Sequence, residues 1–399
     1  MPVLHGDSAP HAPSRQLVLP LVAASILGLH FPSVASATEW HVSPDGSGDA
    51  PSLQSAIDAA ADGDTVRLSS GVFDEGDYVL VSDKGLSIIG DGWGTETPGI
   101  IFAAHGPYEC HVRALSVQPG TSGISAIYAS SLTLEDVAVG GREYAVDIGH
   151  VDDVVIRNSV FDGNEHPPLC CLPQGGAVSV QTSESILIEN CTFVDNRSLA
   201  TWGGGAIGLN VGGDASVQIL RNLFLGNAGE LGGAITVKDG TFNLEIAYNV
   251  FVGNVASDAV IRNENSGGRI YGNVFAFNGT AAIWDLTYLM LCGCNVFWKT
   301  EPVVGECEAA ADWWPSLQVD PQFCDWVRGD FSVAQSSPAL LVNLPDPMEG
   351  ACNEGLNLGG VVVGCEGVVP VYELTWGGLK KRFAEPRLPS TTDDHDLRD

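Results

Sequence analysis

Short runs of apolar residues, some of them interrupted by single polar residues, follow one another along most of this chain. Residues 154–156, 185–188, 217–220 and 243–246 are examples, rich in β-branched side chains and bounded by Gly, Asn and Asp. Such runs predict short strands, because successive side chains of a strand point to opposite faces. The repeats contain no stretch of ten or more residues with apolar positions at helical spacing. We therefore predict several short strands per repeat and no helical repeat.

A Phe-x-x-Asn motif recurs through the same region and marks the repeat. Successive phenylalanines are 32, 31, 27, 24 and 22 residues apart, a period that predicts a solenoid of stacked coils. We expect the phenylalanines to stack on one another inside the tube. We expect the asparagines at a corner, where they tolerate left-handed backbone geometry and bond to neighbouring backbone. The motif residues are Phe161 and Asn164, Phe193 and Asn196, Phe224 and Asn227, Phe251 and Asn254, and Phe275 and Asn278, with Phe297 beginning a further copy.

A second repeated element, Gly-Gly-Ala followed by Ile or Val, lies between copies of the first. It occupies residues 175–178, 204–207 and 232–235. We expect these glycine pairs at another corner, because positive φ or close backbone approach would leave no room there for a Cβ. Each strand is expected to pair in parallel with the equivalent strand one coil away.

The paired Gly-Gly-Ala-[Ile/Val] and Phe-x-x-Asn repeats resemble those of two groups of proteins. One is the chlamydial polymorphic membrane proteins, and the other is the bacterial secreted right-handed parallel β-helix proteins of the pectin-lyase-like superfamily. The resemblance covers about two thirds of the chain after residue 37 and implies an all-β solenoid of about ten coils. This fold hosts lyases, hydrolases, esterases and adhesins, so the resemblance does not fix the function.

The first 37 residues have the composition of a signal peptide. Arg15 precedes an apolar run at 17–31, and Ala35 to Ala37 supply small residues at the cleavage site, so we place the cut after Ala37. An uncleaved membrane anchor is the alternative interpretation. The prediction is a secreted or extracellular protein, with the periplasm or the cell surface as alternatives, and with no membrane span after cleavage.

The rest of the chain divides into three predicted parts. Residues 38–300 form the β-helix, and apolar positions at helical spacing within 51–63 predict a short capping helix at its start. The segments 62–68 and 71–73 resemble the opening coils of pectin methylesterases. Residues 301–370 are predicted to form a C-terminal capping module that contains disulfides, and 371–399 a polar tail.

The charge of the chain limits its partners. It contains 18 basic and 49 acidic residues, a net charge of −31. Nucleic acids and anionic membranes bind through cationic contacts, so we expect neither as a partner. An acidic surface attracts cations, and calcium is therefore a possible cofactor, although the sequence identifies no metal site.

Ten cysteines in an exported protein favour disulfides. We predict pairs of Cys307 with Cys324 and of Cys352 with Cys365, because each closes a short loop of the C-terminal module. Cys191 is expected in the core. A zinc site at Cys292 and Cys294 is the less favoured alternative, because no second pair of ligands lies nearby. The pairing of Cys110, Cys170, Cys171, Cys191, Cys292 and Cys294 stays open.

Insertions of decreasing length follow the Phe-x-x-Asn motifs at 165–174, 197–203 and 228–231. Insertions at one position of a solenoid emerge on one face, and that face is often the binding face. An equally weighted alternative is that such loops are merely tolerated. The candidate ligand-binding residues there are Glu165, His166, Arg197 and Trp202, which suit an extracellular polysaccharide or a cell-surface glycan; Pro167, Pro168, Cys170 and Cys171 lie beside them.

No catalytic constellation is evident in the sequence. Residues 147–153 with Arg157 superficially resemble the aspartates and histidine of polygalacturonases, but the order and spacing differ. We therefore favour a non-catalytic protein that binds an extracellular glycan or a cell surface. One alternative is a calcium-dependent polysaccharide lyase or a glycoside hydrolase that acts on an acidic polysaccharide. A second alternative is a structural surface-layer protein.

Overall fold

The computed structural model describes residues 37–168, 174–241, 243–285, 287, 289–305, 316–344, 352 and 356–365. Within these ranges the chain forms one α-helix and 33 strands, so the all-β prediction is confirmed. The signal peptide prediction falls on residues outside this part except for Ala37, and the polar tail lies outside it entirely. No helix in the described ranges is long and apolar enough to cross a membrane.

The first eleven strands and the helix precede the first Phe-x-x-Asn motif. They are β1 (Glu39–Val42), α1 (Leu53–Ala59), β2 (Thr65–Leu68), β3 (Gly71–Val72), β4 (Tyr78–Ser82), β5 (Ser87–Ile89), β6 (Thr95–Thr97), β7 (Gly99–Ala103), β8 (Glu109–Val117), β9 (Gly120–Ile127), β10 (Ser131–Gly140) and β11 (Arg142–Gly149).

The following strands form the regular coils. They are β12 (Asp153–Arg157), β13 (Val160–Asp162), β14 (Glu165–His166), β15 (Val178–Gln181), β16 (Ser185–Glu189), β17 (Thr192–Val194), β18 (Arg197–Ser198), β19 (Ile207–Asn210), β20 (Ser216–Leu220), β21 (Leu223–Leu225), β22 (Gly232–Lys238), β23 (Asn243–Ala247), β24 (Val250–Val252), β25 (Ala259–Asn263), β26 (Gly268–Tyr271), β27 (Val274–Ala276), β28 (Ala281–Asp285), β29 (Met290–Gly293), β30 (Val296–Trp298) and β31 (Val303–Gly305).

Equivalent strands of successive coils pair in parallel, as predicted. In one column Val154 pairs with Ile186, and Ile186 with Val217. A ten-stranded sheet runs in the order β31-β28-β25-β22-β19-β15-β11-β9-β7-β4, one strand from each coil, and a nineteen-stranded sheet forms the other walls. The solenoid of about ten coils is therefore confirmed. It continues past the predicted boundary at residue 300, since β31 pairs with β28.

The predicted stack of phenylalanines runs through the interior of the tube. From Phe161 to Phe297, neighbouring ring centroids are 4.7 to 5.4 Å apart, with interplanar angles of 20° or less. This distance matches the spacing of paired strands, because each ring is carried at the same position of consecutive coils. The stack fills the core with aromatic surface.

The motif asparagines form a buried ladder of hydrogen bonds beside this stack. The side-chain amide of Asn196 donates to Oδ1 of Asn227 at 3.0 Å and to the carbonyl of Phe161 at 3.0 Å. Asn227 repeats both contacts one coil further on. The predicted backbone bonding is confirmed, but the predicted left-handed geometry of the asparagines is wrong. The residue before each asparagine takes positive φ instead, and these residues are Gly163, Asp195, Gly226, Gly253 and Phe277.

A second ladder, which the sequence analysis did not identify, runs along another corner. Its members are buried, and each amide donates to the Oδ1 atom of the next asparagine at 3.0 or 3.1 Å. The backbone N–H of the buried Cys191 donates to the first member at 2.8 Å, so the prediction that Cys191 lies in the core is confirmed. The members are Asn222, Asn249, Asn273 and Asn295.

The glycine pairs allow close backbone approach. A Cβ added to Gly176 would lie 2.2 Å from the carbonyl oxygen of Gly205, and one added to Gly205 would lie 2.1 Å from that of Gly233. None of these three glycines has positive φ. Close backbone approach, and not positive φ, is therefore the reason why glycine is required at these positions.

Helix α1 covers the first coil and lies within the predicted range 51–63. Its buried side chains are Leu53, Ala56 and Ile57. At its start, the carboxylate of Glu75 accepts hydrogen bonds from two backbone N–H groups of the first turn. At its end, Nζ of Lys84 donates to two backbone carbonyls. Both ends are thus fixed by residues of the next coils.

The disulfide pairing in the C-terminal module differs from the prediction. Cys324 pairs with Cys365, and Cys352 pairs with Cys294 on the last coils of the solenoid. Cys292 is disulfide-bonded as well, which contradicts the zinc alternative. Cys307 lies outside the described residues. The Cys294–Cys352 bond joins the module to the tube. The module itself contains the antiparallel strands β32 (Phe323–Asp325) and β33 (Asp330–Val333) and three 3₁₀ turns, at Trp326–Arg328, Leu341–Asn343 and Leu358–Gly360.

We expect Asn227→Ala to destabilise the fold by about 3 kcal/mol, because it leaves buried donors and acceptors of two neighbouring coils unpaired. Urea unfolding followed by circular dichroism measures the change. Asn210→Ala is the control, since Asn210 is only partly buried at the end of β19. Equal unfolding midpoints for the two variants would contradict the importance of the ladder.

Candidate functional site

The first two insertions place two candidate residues opposite each other. Strands β14 and β18 form a separate two-stranded parallel sheet in which Glu165 faces Arg197. Nη1 of Arg197 lies 3.8 Å from Oε2 of Glu165, and the two side chains are 58% and 57% exposed. An ion pair this exposed contributes little to stability. Both charged groups are therefore accessible to a ligand. We give the name insertion face to the exposed pair of Glu165 and Arg197 together with Trp202, which lies in the loop after β18.

The asparagine ladder positions these strands. Each one begins directly after a ladder asparagine, and the backbone N–H of Arg197 donates to the carbonyl of Asn164 at 2.8 Å. On the next coil, the N–H of Ala228 donates to the carbonyl of Asn196 at 2.9 Å. The insertion face is thus anchored on the most regular part of the core.

The structure buries His166, which the sequence analysis placed on the exposed wall. The side chain is 3% exposed and meets the ring of Tyr144 edge-on, with centroids 5.1 Å apart. Its Nδ1 atom lies 2.9 Å from the carbonyl oxygen of Pro167. A carbonyl only accepts, so Nδ1 of the neutral ring carries the proton and Nε2 is the acceptor. Burial lowers the pKa of His166.

Asp147 and Tyr144 on β11 also belong to this site, although the sequence analysis did not assign them to it. Asp147 lies between the buried Val146 and Ile148, so its side chain points out of the ten-stranded sheet. Burial raises the pKa of Asp147, and the charge of a protonated His166 opposes that shift. The alternation of buried and less buried side chains along β11 could have indicated that Asp147 points outward. That His166 lies near Asp147 depends on the path of the first insertion, which the sequence does not reveal.

Trp202 connects the insertion face to the following coil. Nζ of Lys238, at the end of β22, lies 4.0 Å from the centroid of the Trp202 ring, within the range of a cation–π interaction. The ring is only partly buried. Of the neighbouring residues in the first insertion, Cys170 and Cys171 lie outside the described residues.

The side chains of the insertion face suit contacts to sugars. Arg197 supplies donors, Glu165 supplies acceptors, and the indole of Trp202 offers apolar surface with one polar group. Among the described residues, no group of three or more His, Cys, Asp or Glu side chains is arranged to hold a metal ion.

Comparison with known proteins bears on the fold. Residues 99–285 match a family model described as "Right handed beta helix region". A solved structure of AlyGC, a PL6 family alginate lyase, is similar over 68% of this chain and 37% of its own, with 18% identity and a TM-score of 0.32. This chain thus spans little more than a third of that enzyme, and a likeness at this level has no bearing on activity. No curated protein matches the sequence.

We expect Asp147→Asn to stabilise the protein at neutral pH. Because the pKa of Asp147 is raised on folding, the folded state binds its proton more tightly, and stability falls as the pH rises from the usual aspartate range through the raised pKa. Asparagine does not ionise, so the variant should exceed the parent in urea midpoint at about pH 7 and match it at about pH 3. Glu143→Gln, an exposed change on the same strand, is the control. If the difference in urea midpoint between Asp147→Asn and the parent were the same at both pH values, burial would not be raising the pKa of Asp147.

Proposed function

We propose that this protein is an extracellular β-helix that binds a glycan on its insertion face without cleaving it. The observation that carries the proposal is the in-register pairing of β14 and β18, which holds the charged groups of Glu165 and Arg197 side by side and more than half exposed. Trp202 lies in the loop that follows β18 and adds an aromatic ring.

The charge arrangement supports a polar ligand. A guanidinium and a carboxylate 3.8 Å apart offer donors and acceptors to neighbouring hydroxyl groups, and the weak exposed pair is easily rearranged. Glycan binding of this kind needs few apolar contacts, since one aromatic ring packs against the C–H face of a sugar.

The rigid support of the face also favours binding. Its strands start at buried asparagines whose amides are hydrogen-bonded in both directions along the tube. Binding to a preformed surface avoids much of the entropy cost of ordering loops. The extracellular part of the proposal is supported by the Cys294–Cys352 and Cys324–Cys365 disulfides, since disulfides persist in oxidising compartments.

We expect the purified protein to bind at least one member of a panel of neutral glycans and polyuronates, and Trp202→Ala to weaken that binding about tenfold. Calorimetry with and without calcium measures the affinity. Trp326→Ala, which removes an exposed tryptophan of the C-terminal module, is the matched control. If Trp202→Ala binds as the parent does, the insertion face is not the site.

A second candidate function, cleavage of an acidic polysaccharide, is favoured by the pair of Asp147 and His166. Burial raises the pKa of the Asp147 carboxyl and lowers the pKa of the His166 imidazole, so the two pKa values are shifted towards each other. Neighbouring titratable groups whose pKa values are shifted by burial are typical of sites of acid–base catalysis. The partly exposed Tyr144 lies against the same histidine.

If the pair is catalytic, incubation with polyuronates, with and without calcium, should yield new reducing ends or the absorbance of unsaturated products. His166→Ala and Asp147→Asn should each lower the rate about a hundredfold. Glu143→Gln should retain it. The absence of product from the wild-type protein on every polymer would rule out this function.

A further inference from the structure

The first three strands of the ten-stranded sheet, β4, β7 and β9, contain no charged residue. Buried and outward-facing side chains alternate along β4 and β7 and at the end of β9. Later strands of the same sheet carry Asp147, Lys238 and Arg262. In a chain of net charge −31, the outward face of β4, β7 and β9 is therefore an uncharged area.

Four aliphatic side chains on this area are neighbours. Leu80 pairs in register with Ile101, and Ala103 pairs with Ile127. Ile101 and Ala103 lie two residues apart on β7, so they point to the same side of the sheet. Leu80 and Ile127 are each 39% exposed, and the other two side chains are partly exposed. We call these four residues the apolar shelf.

Two tyrosines border the apolar shelf with uncharged polar groups. Tyr78 lies two residues before Leu80, and Tyr128 directly follows Ile127. They are 49% and 48% exposed, and neither hydroxyl has a hydrogen-bond partner among the described residues. The ring of Tyr128 is held between the rings of two histidines, at centroid distances of 5.2 and 4.9 Å. A neighbouring apolar area and free hydroxyl groups are typical of a surface that binds a ligand.

The charges around the apolar shelf select an uncharged ligand. Its strands carry no cation that could pair with an anionic group. Asp77 and Asp83 flank β4 on either side and would repel an anion. A polyuronate is therefore disfavoured, and a neutral molecule with apolar surface is favoured.

The area of the apolar shelf is too small for a stable dimer of this chain. Three strands about 4.8 Å apart, with five residues of about 3.3 Å each, cover roughly 200 Å². A standard protein–protein interface buries about 800 Å² on each partner. A chain of sugar rings is narrow enough for this area, and the spacing of the coils is close to the length of one sugar unit in an extended chain.

We propose that the apolar shelf binds an uncharged glycan whose rings present apolar C–H faces, as those of β-1,4-linked glucans do. The chain lies across β4, β7 and β9, and its ring faces pack on Leu80, Ile101 and Ile127. Its hydroxyl groups bond to the hydroxyls of Tyr78 and Tyr128. The strands of the shelf precede the insertions, so this inference does not depend on the function proposed for the insertion face.

The test is calorimetry of the full chain with two matched probes, a β-1,4-linked glucose hexamer and a β-1,4-linked glucuronic acid hexamer. We expect the glucose hexamer to bind at least about tenfold more tightly, because its rings have the same linkage without the charges that the acidic surface repels. Raising the salt concentration should leave its affinity unchanged, since no ion pair forms.

Substitutions on the apolar shelf locate the binding. The double variant Leu80→Ser/Ile127→Ser should weaken the glucose hexamer about tenfold, and Tyr128→Phe several-fold. Leu291→Ser is the matched control, because Leu291 is a 48% exposed leucine on β29 of the nineteen-stranded sheet. Circular dichroism confirms that each variant is folded.

Several outcomes would overturn the proposal. Equal binding of the glucuronic acid hexamer would show that the absence of charge does not select the ligand. No binding of the glucose hexamer, or an equal loss in Leu291→Ser and in the double variant, would show that the shelf is not a glycan site. A loss in Trp202→Ala equal to that in the double variant would place this glycan on the insertion face instead. Sedimentation that shows a dimer of the parent but not of the double variant would make a second copy the occupant.

Discussion

The hydrogen-bonded ladders of buried asparagines are the interaction on which the rest of this structure depends. A tube of parallel coils must turn at corners, where the backbone leaves its strands and its polar groups lose their regular partners. Within each ladder, the side-chain amide bonds to the asparagine of the next coil and to a backbone carbonyl, as Asn227 does with Asn254 and Phe193; at the end of one ladder Thr300 takes the place of the next asparagine. The ladder therefore keeps consecutive coils in register, and the phenylalanine stack is a consequence of that register.

Strict register also determines how this protein displays functional groups. A side chain on one coil lies about 4.8 Å from its equivalent on the next, so the outer surface consists of columns of residues. Glu165 faces Arg197 for this reason, and the rings of Tyr128 and His150 stack for the same reason. A repeat with little sequence constraint on its outside can therefore build different binding surfaces on one core.

The insertion face and the corner that carries Asp152, Glu184 and Asp214 differ in charge. On the insertion face a guanidinium accompanies the carboxylate, and Lys238 lies over Trp202. At that corner, the carboxylates of Asp152, Glu184 and Asp214 have no cationic partner among the described residues. In a chain of net charge −31, the placement of a few basic residues decides which regions of the surface are less acidic than the rest.

The sequence by itself determined the solenoid, the phenylalanine stack and the approach of the glycine pairs, because these contacts join equivalent positions of adjacent repeats and so recur as a period. It did not reveal the burial of His166 or the partners of Cys324 and Cys352. These features join positions that are not equivalent: Cys294 and Cys352 are 58 residues apart, and His166 packs against Tyr144 of another strand. Only the path of the loops through space brings such residues together, and that path leaves no period in the sequence.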